Sequence, residues 1–166
     1  MTVLREQITT SLPIDEAFGF VADFANSMHW DPGVASSKRI DAGPLGVGAR
    51  YLLEVRMRGG VAPMEYVITT FDAPRRVVLA GLGSSVSAVD DIRFESTAGG
   101  TRIDYVADIR LRGLLRLAEP FAGGALARIG RAALDGMQQA LAARAAAAAA
   151  SDVARAAAAA DVGNAG

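Results

Sequence analysis

The sequence predicts one α+β domain in which an antiparallel sheet of about seven strands packs against a long C-terminal helix. Three observations favour this fold class. Apolar and polar residues alternate through the middle of the chain, as in strands that bury one face. After Gly113, apolar residues recur at intervals of three and four, as in a helix. The predicted strands follow one another directly, which argues against alternating βαβ units.

The N-terminal region is predicted to be a strand followed by two short helices. The strand covers Thr2–Thr10. Pro13 stands where a helix begins, and Asp15 and Glu16 fall in its first turn, where carboxylates complement the helix dipole. A second short helix over 25–30 ends before Pro32, because the residue preceding a proline disfavours the helical conformation.

The middle of the chain is predicted to consist of successive strands joined by tight, glycine-rich turns. The predicted strand ranges are 51–57, 61–72, 76–82, 86–96 and 101–111. In the last of them Ile103, Tyr105 and Ala107 share one face, whereas Arg102 and Asp104 share the other. The sheet is therefore expected to have one dry side and one solvated side.

A long helix with one apolar stripe is predicted near the C-terminus. The stripe consists of Leu126, Ile129, Ala133, Leu134, Met137 and Leu141. Residues 114–117 also have a helical pattern, and Pro120 and Gly123-Gly124 are expected to kink or interrupt the helix. Residues 1–141 are assigned to the domain. Residues 142–166 are assigned to an alanine-rich, low-complexity tail with little side chain to bury.

Composition excludes several classes of function. Seventeen Lys and Arg residues against 18 Asp and Glu residues leave a net charge of −1, without the positive surface of a nucleic-acid binder. The absence of cysteine excludes disulfides and thiolate chemistry, and with a single histidine we expect no metal and no cofactor. No segment has the pattern of a signal peptide or membrane span, so a cytoplasmic monomer or homodimer is expected.

Five segments together carry a resemblance to a known family. They are LPIDEAF at 12–18, MHWDPGV at 28–34, FDAPRR at 71–76, GGTR at 99–102 and the terminal helix. Their order and spacing resemble the helix-grip fold of the START-like, or SRPBCC, superfamily, in particular its polyketide cyclase/dehydrase and lipid-transport family. The resemblance covers roughly residues 3–141.

The resemblance implies a curved antiparallel sheet that grips the long helix around an apolar cavity. Members of the family mostly bind hydrophobic small molecules, and some are aromatase/cyclases. We therefore expect a lipid, polyketide or isoprenoid-like ligand as the partner. One alternative is a polyketide cyclase, aromatase or dehydratase that uses the same cavity, and a second is a protein-interaction module.

Two residues are candidates for acid–base chemistry. Asp90 shares its predicted face with Val86, Ala88 and Ile92, and a carboxylate in such a setting has a raised pKa unless it is paired. A bulge that turns Asp90 to solvent, or pairing with an arginine, is the alternative. His29 is the only histidine and thus the only candidate imidazole base, although it could equally cap its helix.

The candidate ligand-binding residues have apolar or aromatic side chains on the predicted inner face of the sheet or helix. They are Trp30, Tyr51, Leu53, Tyr66, Ala88, Tyr105, Ala107, Phe121, Ile129 and Met137. A buried tyrosine hydroxyl needs a partner, either a ligand oxygen or the protein backbone. Gly81 and Gly83 either line the cavity or mark bulges of a curved sheet.

Overall fold

Seven antiparallel strands form one curved sheet in the order β1-β7-β6-β5-β4-β3-β2. The computed structural model describes residues 2–57, 59–113 and 119–163, and the side chains of all of these except 119–122, 158 and 160–163. The strands are β1 (Thr2–Thr10), β2 (Val34–Arg39), β3 (Arg50–Met57), β4 (Gly60–Asp72), β5 (Arg76–Gly83), β6 (Val86–Thr97) and β7 (Gly100–Leu111). This architecture confirms the predicted fold class.

Two short helices link β1 to β2, which lie at opposite edges of the sheet. The helix α1 (Ile14–Ala22) begins directly after Pro13, and a 3-10 helix (Phe24–His29) follows it. The Asp23 side chain accepts a hydrogen bond from the Ala25 N–H at 3.2 Å, which caps the 3-10 helix. The Phe18 ring meets the rings of Phe71 and Phe94 edge-on at 5.2 and 5.1 Å and fixes α1 against the sheet.

The sequence pattern gave no range for β2, which covers Val34–Arg39 at the edge of the sheet. Four of its six residues are polar or charged, and its register with β3 shifts between Val34 and Ser36. A short polar edge strand with a bulge lacks the two-residue alternation on which the prediction depends. The other strands lie within one residue of their predicted ranges.

The helix α2 runs without a break from Glu119 to Gly163. The predicted interruption of the helix at Pro120 and Gly123-Gly124 is wrong. Pro120 lies in the first turn, where its missing N–H would have no partner in the helix, and the two glycines lie within regular helix. The helical segment predicted at 114–117 lies outside the described residues. In the described part of the chain, no helix combines the length and apolar character needed to cross a membrane.

Two glycines bring α2 close to the rest of the domain. A Cβ atom added to Gly130 would overlap the Leu4 side chain, and one added to Gly136 would overlap the carbonyl oxygen of Trp30. Further along the helix, the Arg144 guanidinium lies 4.4 Å from the centre of the Phe20 ring. The helix therefore packs closely beside β1 and the 3-10 helix.

The outer face of the sheet is solvated and charged, as the alternation predicted. Arg50 pairs with Glu65 between β3 and β4, Arg76 pairs with Asp91 between β5 and β6, and Arg102 pairs with Glu95 between β7 and β6. Such exposed pairs are worth little individually. The apolar side chains of the same strands point inward, toward α1 and α2.

Candidate functional site

A cavity of about 500 Å³ lies between the inner face of the sheet and α2. The sheet contributes side chains from six strands, and α2 contributes residues between Leu126 and Leu134. At one end the wall is formed by the β5–β6 loop and the ends of β3 and β7. Its volume lies in the range of small-molecule sites, and most of the lining side chains are apolar.

Small residues at the centre of the sheet create this space. Ala88 on β6 and Ala107 on β7 line the cavity, where larger side chains would reach toward α2. Gly81 lies opposite Ala88 on β5, but the room above it is filled from within the protein. A Cβ atom on Gly81 would lie 2.5 Å from Cζ of Tyr66, so the Tyr66 ring lies directly over this glycine. Gly83, in contrast, does line the cavity.

Asp90 lies on the cavity wall with two tyrosines. It is only 5% exposed and stands between Leu79 of β5 and Ala107 of β7. Burial raises the pKa of Asp90 to about 7; hydrogen bonding with Tyr105 and Tyr66 acts in the opposite direction, and the charge of Asp31 adds to the increase. The carboxyl group of Asp90 therefore exchanges its proton near neutral pH.

The two tyrosines of this group keep their protons over the same pH range. Burial, together with the neighbouring charge of Asp90, raises the pKa of Tyr66 and of Tyr105 well above the usual value. Both hydroxyls can thus donate one hydrogen bond and accept others. Asp90, Tyr66 and Tyr105, called the Asp90 cluster below, form a polar patch in a largely apolar wall.

A second polar group, Asp31 with Arg56, lies at the edge of the cavity. The Asp31 carboxylate accepts a hydrogen bond from the Gly33 N–H at 2.7 Å. Nη1 of Arg56 donates to the carbonyl oxygens of Pro32 at 3.1 Å and Val34 at 2.6 Å. Burial raises the pKa of Asp31, and the Gly33 N–H and the charge of Arg56 partly offset this increase.

An open groove of about 800 Å³ lies on the other side of this group, between the 3-10 helix, β2 and α2. His29 and Asp135 line the groove but not the cavity. The residues that contact both spaces, and so form the partition between them, are Trp30, Asp31, Val34 and Arg56. The structure therefore does not bring His29 together with Asp90.

The predicted site residues other than His29 separate into three sets. Those on the cavity wall are Asp90, Trp30, Leu53, Tyr66, Ala88, Tyr105, Ala107 and Ile129. Tyr51 and Met137 are fully buried in the core and do not line the cavity, and the side chain of Phe121 lies outside the described residues. Asp31 and Arg56 were missed. The Asp31-Pro32-Gly33 sequence predicts the end of a helix, but an aspartate before Pro-Gly also favours a side-chain turn that fixes its carboxylate.

The described residues provide no metal site, since no three of their histidine or carboxylate side chains gather closely enough to hold an ion. The groups on its wall define the chemistry that the cavity itself can support. It can enclose an apolar compound, exchange a proton at Asp90, and hydrogen-bond an oxygen atom through the tyrosine hydroxyls.

Comparison with known proteins gives one family and many similar folds. The family model described as polyketide cyclase / dehydrase and lipid transport matches residues 1–142. No curated protein matches the sequence. Among solved structures, the ZhuI aromatase/cyclase from Streptomyces sp. R1128 is 15% identical with a TM-score of 0.69, over 86% of this chain and 92% of the other.

Two further structures are similar at comparable levels. A START superfamily protein from Mycobacterium smegmatis is 12% identical with a TM-score of 0.66, over 87% of this chain and 97% of the other. The di-domain ARO/CYC protein StfQ from the steffimycin biosynthetic pathway is also 12% identical, with a TM-score of 0.65. That match covers 87% of this chain and 52% of StfQ. At these identities the structural likeness establishes the fold alone.

Proposed function

Because the chain belongs to the polyketide cyclase / dehydrase and lipid transport family, we propose that it binds a hydrophobic small molecule in the cavity. The ligand is a lipid, a polyketide or an isoprenoid-like compound. The observation that carries the proposal is the cavity of about 500 Å³ with its mainly apolar wall between sheet and helix. Apolar space of this size stabilises a bound apolar compound by removing its surface from water.

The expected affinity follows from the area that a ligand buries. A compound that buries about 400 Å² of apolar surface gains about 10 kcal/mol. Association costs at least about 4 kcal/mol in lost translational and rotational freedom. The remaining 6 kcal/mol, as an order of magnitude, corresponds to a dissociation constant of tens of micromolar.

The test compares two adjacent positions on β7 that face opposite sides of the sheet. In Ala107→Phe the ring occupies the cavity, whereas in Val106→Phe the change lies on the outer face. Binding of the uncharged dye Nile red, and its displacement by a library of apolar compounds, is measured for both variants and the wild type. Circular dichroism checks that both variants fold.

We expect Ala107→Phe to weaken binding at least about tenfold and Val106→Phe to leave it unchanged, because a bulky group in the cavity excludes the ligand. Wild-type protein that binds neither the dye nor any library compound would contradict the proposal. So would equal binding by Ala107→Phe and the wild type.

Catalysis in the same cavity is a second candidate, favoured by the position and pKa of Asp90. A carboxyl group that titrates near pH 7 is suited to remove or return a proton next to a ketone carbonyl. The hydroxyls of Tyr66 and Tyr105 would stabilise the negative oxygen that forms. An Asp90→Asn protein that cyclises a poly-β-ketone substrate as fast as the wild type would exclude this role for Asp90. His29, which lines the groove, has no part in this scheme.

A further inference from the structure

The charged side chains of the cavity wall are unequally distributed. In the residues that the structure describes, they are Asp31, Asp90 and Arg56. Asp31 and Arg56 lie together at the partition with the groove, and the charge of Arg56 acts on Asp31. Asp90 lies on the sheet with the two tyrosines as its hydrogen-bond partners, and the charge of Asp31 that acts on it has the same sign as its own.

Arg56, the one cation among the described residues of the wall, is fixed against the protein backbone. Nη1 of Arg56 donates to two carbonyl oxygens, those of Pro32 and Val34. These bonds hold the guanidinium against the loop that follows the 3-10 helix, and its charge is partly compensated by Asp31. A carboxylate or phosphate deep in the cavity would therefore lie beside Asp90, and no other cation among the described wall residues is there to compensate it. Burying like charges together is strongly unfavourable.

An uncharged oxygen atom meets a different environment at the same place. When Asp90 is protonated, its O–H and the tyrosine hydroxyls can donate to a ketone oxygen; when Asp90 is ionised, the tyrosine hydroxyls donate to its carboxylate instead. An alcohol or phenol can donate to the Asp90 carboxylate. The cluster thus offers a partner to an alcohol or phenol in either protonation state of Asp90, and to a ketone when Asp90 is protonated.

We propose that the cavity selects hydrophobic ligands whose polar group is an uncharged oxygen, such as a ketone, phenol or alcohol, and excludes ligands that carry a carboxylate, sulfonate or phosphate. The selection is made by Asp90 with Tyr66 and Tyr105. This inference rests on the proposed binding function. It goes beyond that function because it specifies the chemistry of the ligand's polar end.

The test uses four compounds with the same ten-carbon chain: decan-1-ol, decan-2-one, decanoate and decane-1-sulfonate. Displacement of Nile red from the protein by each compound is measured at pH 8, at concentrations too low for the compound to form micelles. We expect the alcohol and the ketone to bind at least about tenfold more tightly than the two anions. An anion loses affinity anywhere in an apolar cavity, so the variants below isolate the part due to Asp90.

Asp90→Asn replaces the carboxylate by an uncharged group of the same size, and Asp91→Asn makes the same change on the outer face of the same strand. We expect Asp90→Asn to reduce the ratio of the affinity for the neutral compounds to the affinity for the anions at least about tenfold. Asp91→Asn should leave this ratio unchanged. Should Asp90→Asn not fold, the wild type replaces it, with decane-1-sulfonate titrated from pH 8.5 to pH 5.5. Its affinity should then increase about tenfold as Asp90 takes up its proton while the sulfonate stays ionised.

The other titratable groups that line the cavity in the described residues are Asp31, Arg56, Tyr66 and Tyr105. The two tyrosines hydrogen-bond Asp90, and neither loses its proton over this range. Wild-type protein that binds decanoate as tightly as decan-1-ol would overturn the inference and leave the proposed function intact. A preference unaltered in Asp90→Asn, or a sulfonate affinity independent of pH, would overturn it as well. Failure of Nile red and all four compounds to bind would count against the proposed function itself.

Discussion

Asp90 and Asp91 are adjacent in the sequence and yet have opposite electrostatic environments. Asp90 points into the cavity, where burial raises its pKa to about 7. Asp91 points outward; partial burial raises its pKa, but hydrogen bonds from Arg76 and Arg93 prevail and lower it. The Arg76 bond is 2.9 Å and the Arg93 bond 3.2 Å. The face of the strand, rather than the residue type, therefore determines the charge state of each carboxyl group.

The largest expected effect concerns Asp90→Asn. The pKa of Asp90 in the folded protein is about 7, above its ordinary value of 3.8. Between these values the folded protein keeps a proton that the unfolded chain has released, so the free energy of unfolding falls as the pH rises from about 4 to about 7. The shift corresponds to a fall on the order of 4 kcal/mol.

Asp90→Asn lacks this dependence, because an amide does not titrate in that range. We expect the variant to be more stable than the wild type at pH 8, by up to a few kcal/mol. Urea unfolding at intervals from pH 4.5 to pH 8.5 measures the difference between the two proteins. Parallel stability curves would show that Asp90 is not a buried acid with a raised pKa.

The second prediction compares two glycines on α2, one packed against the rest of the domain and one with open space around it. In Gly136→Ala the new methyl group would overlap the Trp30 carbonyl, so the helix would have to move away from the 3-10 helix, at a cost of about 3 kcal/mol. Gly124→Ala lies on the same helix with open space around it and should be stabilising by about 0.5–1 kcal/mol. Urea midpoints measure both. Equal midpoints for the two variants would contradict this view of how α2 packs.

Gly81→Ala tests whether the Tyr66 ring keeps its position because residue 81 has no side chain. The added methyl group would lie 2.5 Å from Cζ of Tyr66 and would displace the ring, which we expect to destabilise the fold by about 2 kcal/mol. Displacing the Tyr66 hydroxyl also removes a bond that lowers the pKa of Asp90, so the pH dependence described for Asp90 should move to higher pH. Gly19→Ala, which meets no atom within 4 Å, is the matched control. An unchanged pH dependence would mean that the ring does not act on Asp90.

The smallest effect is expected on the outer face. Asp91→Asn removes two ion pairs with partly exposed arginines, which are worth about 0.5 kcal/mol together at low salt. In 1 M NaCl the difference from the wild type should disappear, because salt screens exposed charges. Urea unfolding of both proteins at 0.05 M and 1 M NaCl measures this difference in stability. If Asp91→Asn instead lost several kcal/mol of stability at both salt concentrations, the contrast between the buried Asp90 and the solvated Asp91 would not hold.

The sequence predicts each face of the sheet better than it predicts the contacts between strands. Alternation alone placed Asp90 with Ala88 and Ile92 on the inner face, where the structure has it. The packing of the Tyr66 ring over Gly81 depends on the pairing of β4 with β5, and local periodicity contains no information about that register.

Two other features escaped prediction for different physical reasons. The proximity of Asp31 and Arg56 arises from a loop and a strand that are 25 residues apart in the sequence, so no local motif marks it. The continuity of α2 through Gly123 and Gly124 is a case in which the strongly helix-forming, alanine-rich sequence that follows outweighs a weak local preference.

The position of β1 has a consequence for how the chain folds. Strands β2 to β7 pair with their neighbours in sequence and can form one hairpin after another. In contrast, β1 pairs with β7 from Thr2 opposite Ile109 to Thr10 opposite Thr101, which requires a long loop to close. We expect this edge to form last during folding, so that its backbone amides are the last to resist exchange in a pulse-labelling experiment. Early protection of β1 would instead place the closing of the chain ends at the start of folding.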